Sequence, residues 1–281
     1  MLRRTLQSLA AVDDVGELAQ VIIVENGPVA ELEGVTLEFC ELLPIKYRYT
    51  SAANKSLALN LGLQHAPDGL IILLDDDIRI ATDLVSAYRA AMMETPCGAY
   101  FGGPFAVDYE VVPDATLLPY MTGSTKGWTL ANEDQWVARG THFLGFNWAA
   151  LRSDLLAIGG FDPNHGPGSP TGATGQESDA QRRLAARGLR GRYVWRAKAW
   201  HRVTEDQITP DWILSRRRRA GVELGQIISA RYPRWARRIA LGVALVLLRL
   251  RFRRRNRCSP TLKSYHQNWW TAYKEGARSV T

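Results

Sequence analysis

The sequence predicts an α/β fold, built on a mostly parallel sheet with helices on both faces. Three observations predict it. Leu70-Ile71-Ile72-Leu73-Leu74 is an unbroken apolar run bounded by Pro67-Asp68-Gly69, the pattern of a strand buried in a parallel sheet. Short apolar runs alternate with stretches of helical spacing before and after it. The run ends in Asp75-Asp76-Asp77, and open α/β sheets bind ligands at the carboxyl ends of their strands.

Each element follows from its residues. Leu2, Leu6 and Leu9 have helical spacing, so the chain opens in a helix. Gln20-Val21-Ile22-Ile23-Val24-Glu25 reads as a strand stopped by Asn26-Gly27-Pro28. Residues 35–43 read as a second, less regular strand. Residues 51–66 read as a helix, capped by Ser51 or Asn54 and stopped by Pro67. After the aspartates a helix is expected over 82–93, then a strand at Ala99-Tyr100-Phe101. Residues 105–150 are aromatic and irregular, without clear periodicity. A helix is expected over 151–158, and then a Gly/Pro-rich mobile loop over 162–175. Ser178-Asp179-Ala180-Gln181 fits a capping box opening a helix to Arg187. Residues 193–203 are strand-like, and the chain from Trp212 is helical and basic.

Composition bounds the rest. At 281 residues and 46% hydrophobic content the chain is globular, not disordered. Residues 1–211 carry 18 Lys/Arg against 26 Asp/Glu, and residues 212–281 carry 17 against 2. The net charges, −8 and +15, divide the chain into a mildly acidic body (1–211) and a basic helical extension (212–281). Cys40, Cys97 and Cys258 are odd in number and widely spaced, as reduced thiols are. With no apolar signal core at the N-terminus, a cytoplasmic location is expected.

Three crowded carboxylates repel unless neutralised, and a divalent cation, Mg²⁺ or Mn²⁺, with its phosphate ligands does so. A solvated acidic turn fits the same residues. Lys55 stands near a helix N-terminus, against the dipole, which suits a bound diphosphate as well as an exposed surface. Glu177 and Asp179 open a helix after the Gly-rich loop, where a charged carboxylate serves as a general base or merely complements the dipole. His201 ends a strand-like run and is either structural or a metal ligand with the aspartates.

In this order, the motifs resemble family 2 glycosyltransferases of the GT-A fold over about residues 3–230. The resemblance implies that Glu25 reaches the nucleotide base, where Asp is more usual. It places Asn54-Lys55-Ser56-Leu57-Ala58-Leu59-Asn60, with Lys55 and Asn60, beside the nucleotide. Asp75-Asp76-Asp77 matches the DxD element, with Asp75 toward the nucleoside, Asp77 on the metal, and Asp76 grouped with them without a separate role. Gly145-Phe146-Asn147 and Gly159-Gly160-Phe161-Asp162 resemble the segment lining the sugar, with Asn147 as a donor contact. Gly175-Gln176-Glu177-Ser178-Asp179 resembles the element supplying the base: Glu177 acts and Asp179 supports it. His201-Arg202-Val203 matches a motif closing the metal site.

The implied partners are a nucleotide-diphosphate sugar donor and a hydroxyl acceptor, such as a lipid-linked glycan of the cell surface, with inversion at the transferred sugar. The family normally begins one strand earlier, so either the start is misassigned or the chain lacks that strand. That lack leaves a nucleotide-sugar-binding protein without transfer as the alternative. In the tail, the ten residues from Ile239 to Leu248 are apolar and flanked by arginines. They are too short to span a bilayer, which needs about 20. They suit the interface of an anionic membrane. A helix packed on the domain is the other reading, and no nucleic acid is expected because aromatic stacking platforms are largely absent.

Overall fold

The computed structural model describes residues 1–255 and 262–280, so Arg257 and Cys258 lie outside the described residues. The chain forms two compact units. The first comprises residues 1–108, 127–169 and 175–202. The second comprises Tyr109–Lys126, Pro170–Thr174 and the chain from Val203 onward. The division expected at 211 therefore begins at 203, and two short earlier segments join the helical unit.

In the first unit, α1 (Leu2–Ala10) buries Leu2, Thr5, Leu6 and Leu9 on one face. β1 (Val21–Asn26) and β2 (Ile45–Thr50) pair in parallel from Val21↔Ile45 to Asn26↔Thr50. Between them lies α2 (Glu33–Leu37). The strand expected over 35–43 is thus a short helix and turns. Its buried residues, Thr36, Phe39 and Leu43, stand three and four apart, which is helical spacing. The strand instead begins after Pro44, where lysine, arginine and tyrosines hide the alternation.

α3 (Lys55–His65) leads to β3 (Leu70–Leu73), and Asp76 and Asp77 form the turn into β4 (Ile78–Ile80). α4 (Leu84–Glu94), β5 (Ala99–Gly102) and β6 (Phe105–Tyr109) follow. Then come β7 (Gln135–Trp136), β8 (Trp148–Leu151), α5 (Arg152–Ala157), α6 (Gln176–Ala186), β9 (Arg190–Tyr193) and β10 (Ala199–Val203). The expected strand over 193–203 is therefore two strands joined by a turn. The strands order as β1-β2, β4-β10-β6 and β3-β8-β5-β9-β7.

The α/β class holds, but the pairing is mixed. β1–β2 and β5–β9 are parallel, while β3–β8, β5–β8, β7–β9 and β4–β10 are antiparallel. The expectation of a mostly parallel sheet is corrected here. Four strands that the hydrophobic pattern did not reveal (β4, β6, β7 and β8) supply most of the antiparallel edges.

Helices do cover both faces. Along β5, Ala99 and Phe101 pack with α1 and α4, and Tyr100 packs with α3, α5 and α6. Along β8, Ala149 joins the first cluster, while Trp148 and Ala150 join the second. Alternate residues of a strand point to opposite faces, so both are filled.

In the second unit, α7 (Pro210–Arg231) is capped by Thr209, whose hydroxyl accepts from the Trp212 amide at 3.3 Å. α8 (Arg234–Arg255) and α9 (Lys263–Arg278) follow. Gly221 lets α7 meet α9 backbone to backbone: a Cβ there would stand 2.2 Å from the Tyr273 carbonyl oxygen. Arg217 lies 3.7 Å over the rings of both Trp269 and Tyr273, and burial lowers its pKa to about 10. Cys40 and Cys97 are exposed free thiols.

Candidate functional site

Helix α1 braces the aspartate turn. Thr5 Oγ1 lies 2.7 Å from the Ile78 carbonyl and 2.8 Å from that of Asp76, and Ser8 Oγ accepts from the Ile80 amide at 3.2 Å. The turn therefore projects its carboxylates from a fixed backbone. The Asp76 carboxyl is raised above its usual range by desolvation and by the charges of Asp77 and Asp75.

Lys55 Nζ donates to Asp75 Oδ1 at 2.5 Å. Burial alone would lower the lysine pKa. Asp75, with Glu177 and Asp77 beyond it, outweighs that and leaves it raised. Lys55, Asp75, Asp77 and Glu177 therefore share one electrostatic neighbourhood. Glu177 lies in the first turn of α6 with its Oε2 against Gly145: a Cβ at Gly145 would stand 3.3 Å away. The glycine leaves room for the carboxylate.

Asp77 and His201 complete the cluster. His201 Nε2 stands 3.3 Å from Asp77 Oδ2, and β10 pairs His201 with Ile78, next to the aspartate. Among the described residues, Asp77 Oδ1 is buried with no hydrogen-bond partner. A buried orphaned carboxylate oxygen beside an imidazole is costly unless something binds it. Oxygen and nitrogen donors of this kind fit Mn²⁺ or Mg²⁺.

Other expected site residues are occupied elsewhere. Asn147, expected at the donor, is 1% exposed: it accepts from Tyr88 Oη at 2.7 Å and donates to the Pro104 and Ala197 carbonyls. It precedes β8 and points into the core, so it is a structural cross-link. Asn60 spends its amide on Phe161, accepting its N–H at 2.7 Å and donating to its carbonyl at 2.8 Å. That clamp holds the Gly159-Gly160-Phe161 turn, where both glycines have positive φ. The carboxylate of Glu25 accepts from Tyr47 Oη and from the Glu31 and Leu32 amides. Asp179 pairs with Arg183 at 2.8 Å and Arg182 at 3.1 Å.

The loop after Phe161 is tied down over 163–168, in contrast to the mobile loop expected. Asn54 caps α3, accepting from Leu57 N and donating to the Pro163 carbonyl at 2.9 Å. The Lys55 amide donates to Pro167 O, and Ser56 Oγ donates to His165 O. The Lys55 and Leu57 amides at the start of α3 are thus already bonded. The capping box is absent as well: α6 begins at Gln176, and Gly175, at φ +84°, is its N-cap. Asp162, His165 and Asp179 bring one ligand atom each to within 4.8 Å of the others. Asp179 is already neutralised by two arginines there.

Sequence reasoning missed the supporting residues. Phe146 stacks on the His201 ring, with centroids 4.8 Å apart and planes 4° apart. Tyr47 holds Glu25, and Thr5 holds the Asp76 carbonyl. Only the alternation of Ile45, Tyr47 and Tyr49 signals Tyr47 in the sequence.

A family model described as "Glycosyl transferase family 2" matches residues 1–158. The chain belongs to that family. No curated protein matches it. Among solved structures it is similar to S. aureus TarS 1-349, at 13% identity and TM-score 0.53 over 79% of this chain and 61% of that one. It is also similar to the Pyrobaculum calidifontis mannosyltransferase PcManGT, in complex with GDP-Man and Mn²⁺. That match has 15% identity and TM-score 0.55 over 99% of this chain and 69% of that one. A third is GalNAc-T7 with UDP, GalNAc and Mn²⁺, at 14% identity and TM-score 0.54 over 83% and 48%. The chain thus spans about three fifths of TarS 1-349 and half of GalNAc-T7. At these identities the likeness establishes the fold, the GT-A fold of family 2 glycosyltransferases.

Proposed function

We propose that the chain transfers a sugar, with inversion, from a nucleotide-diphosphate donor to an acceptor hydroxyl. One observation carries the reading: Lys55, Asp75, Asp77, Glu177 and His201 converge, and Asp77 Oδ1 is left buried without a partner among the described residues. Solved structures of the same fold hold GDP-Man or UDP with Mn²⁺.

Asp77 and His201 would hold Mn²⁺ or Mg²⁺, which when bound stabilises charge on the departing diphosphate. Lys55, kept cationic by Asp75, adds positive charge to the same oxygens. Glu177 accepts the proton of the acceptor hydroxyl as that oxygen bonds to the anomeric carbon. The bond from that carbon to the diphosphate breaks on the opposite face, and its electron pair leaves with the nucleotide. Asp179 and its arginines fix the helix that carries Glu177. Asn60 and Asn147 act through the groups they hold, Phe161 for one and Tyr88, Pro104 and Ala197 for the other, without touching the donor. The acceptor class is a hydroxyl.

The test is release of nucleoside diphosphate from a panel of UDP- and GDP-sugars with Mn²⁺ and glycan acceptors. Glu177→Gln should lower turnover about 10²–10⁴-fold while donor binding persists. Near-wild-type turnover in that variant overturns the assignment. Binding of UDP or GDP without release from any donor favours the non-catalytic reading.

A further inference from the structure

Helix α8 is apolar on two opposite faces. Leu241, Leu245, Leu248 and Phe252 pack into the second unit against residues of α7 and α9. On the other side Trp235, Ile239, Val243, Val246, Leu247 and Leu250 are 80, 66, 55, 58, 61 and 50% exposed. Positions 235, 239, 243, 246 and 250 follow one another at helical spacing, so they form one stripe about 22 Å long. A surface helix ordinarily shows one apolar stripe, turned inward, and an exposed stripe of this extent marks a binding face.

The charges beside the stripe indicate what binds. At about 100° per residue, Arg238 and Arg249 fall along one edge and Arg251 along the other. All three are exposed, and α8 contains no acidic residue. The surrounding stretch 212–281 has a net charge of +15. A second copy of this helix would set arginine edges against arginine edges, which repel. A nucleic acid would meet the arginines but leave the stripe in water. An anionic lipid surface satisfies both: the stripe enters the acyl boundary while the arginines reach lipid phosphates and Trp235 sits at headgroup depth. No helix among the described residues is long and apolar enough to cross a membrane, so the mode is in-plane.

We propose that the outer face of α8 docks the protein in-plane on an anionic bilayer. The inference stands apart from the transfer reaction and does not depend on it.

Flotation of the full-length protein with phosphatidylglycerol and phosphatidylcholine vesicles tests it. The protein should float with the anionic vesicles at least tenfold more than with neutral ones, and less as salt rises. Val243→Asp with Val246→Asp should abolish flotation while circular dichroism and the melting curve stay unchanged, since both side chains are exposed. Arg238→Gln with Arg249→Gln should weaken binding, about fivefold per arginine. Trp235 offers a readout free of any folding defect. Brominated lipid should quench wild-type tryptophan emission, and Trp235→Phe should lose that quenched component. Equal flotation with both lipids, or flotation unaffected by the Asp pair, overturns the proposal. So does a dimer in lipid-free solution that the Asp pair converts to monomer, because a second copy would then cover the face.

Discussion

His201 Nε2 stands 3.3 Å from Asp77 Oδ2, while the other Asp77 oxygen is buried and unpartnered among the described residues. The two residues come from β10 and from the turn before β4, and pairing between those strands sets their approach. Stacking on Phe146 fixes the ring plane. This pair should govern cation affinity. Asp77→Asn should weaken Mn²⁺ binding by about 10–100-fold or more, and His201→Ala by about tenfold, as loss of ligands and of their orienting groups does. The free-Mn²⁺ electron paramagnetic resonance signal measures both. Unchanged affinity in Asp77→Asn would place the cation elsewhere, with Asp162, His165 and Asp179 the next site to test.

Lys55 neutralises Asp75 in a pocket that also feels Asp77 and Glu177. Lys55→Met should leave the carboxylates facing one another. The two side chains are 26 and 22% exposed, so the cost lies nearer that of a surface pair than of a buried one, about 1 kcal/mol. The lysine pKa is raised above 10.5 in the folded state. Its contribution is therefore complete below pH 10.5 and is lost as pH rises through the folded value. Urea unfolding at neutral pH should separate variant from wild type, and the gap should close in strong alkali. Donor affinity should fall at neutral pH by more than the stability difference explains.

The charged residues of this site were legible in the sequence because each stands at the end of a strongly patterned element. Asp75 to Asp77 follow an aliphatic run, Glu177 follows a glycine-rich loop, and His201 lies in a strand-like run. The amides were not legible. Asn60 and Asn147 read alike whether they face a ligand or the core, and only the fold reveals that Asn60 is spent on Phe161 backbone and Asn147 on Tyr88 and two carbonyls. The strand at 45–50 was hidden because its residues alternate cationic with aromatic, and the helix at 33–37 because five residues carry little periodicity. The loop at 162–175 reads as mobile from glycine and proline alone. What pins its 163–168 part is a set of long-range bonds to Asn54, Lys55 and Ser56, which no local pattern encodes.

Asn147 makes its role measurable. Asn147→Ala would take the Asn147 bond from the Tyr88 hydroxyl and from the Pro104 and Ala197 carbonyls, of which Pro104 keeps the Ala199 amide. Leaving buried polar groups unsatisfied costs about 1–3 kcal/mol apiece, partly relieved by relaxation. A loss of about 2–4 kcal/mol in urea unfolding is expected. Donor affinity of the folded fraction should not change. A large fall in donor affinity with little loss of stability would return Asn147 to the sugar site.

The Glu25–Tyr47 pair should set the pH range of the β1–β2 edge. Burial raises the Glu25 carboxyl, but Tyr47 and the Glu31 and Leu32 amides outweigh it, so its pKa lies below 4.5. Burial and then Glu25 push the Tyr47 hydroxyl up to about 12. The signs differ between the two. A depressed carboxylate contributes stability above its unfolded pKa and loses it as pH falls through the folded one. A raised phenol contributes fully below its unfolded value of 10 and loses it as pH climbs toward about 12. Wild-type stability should therefore be flat in this respect between about pH 5 and 10 and should fall on both sides. Tyr47→Phe removes the hydroxyl and keeps the ring. It should abolish the alkaline loss and shrink the acid one, since the two backbone amides still hold Glu25. Glu25→Gln should abolish the acid loss and leave the tyrosine nearer its ordinary value. Urea unfolding of the three proteins from pH 3 to 11 measures these slopes. An acid slope in Glu25→Gln equal to that of wild type would show that another carboxylate governs acid stability.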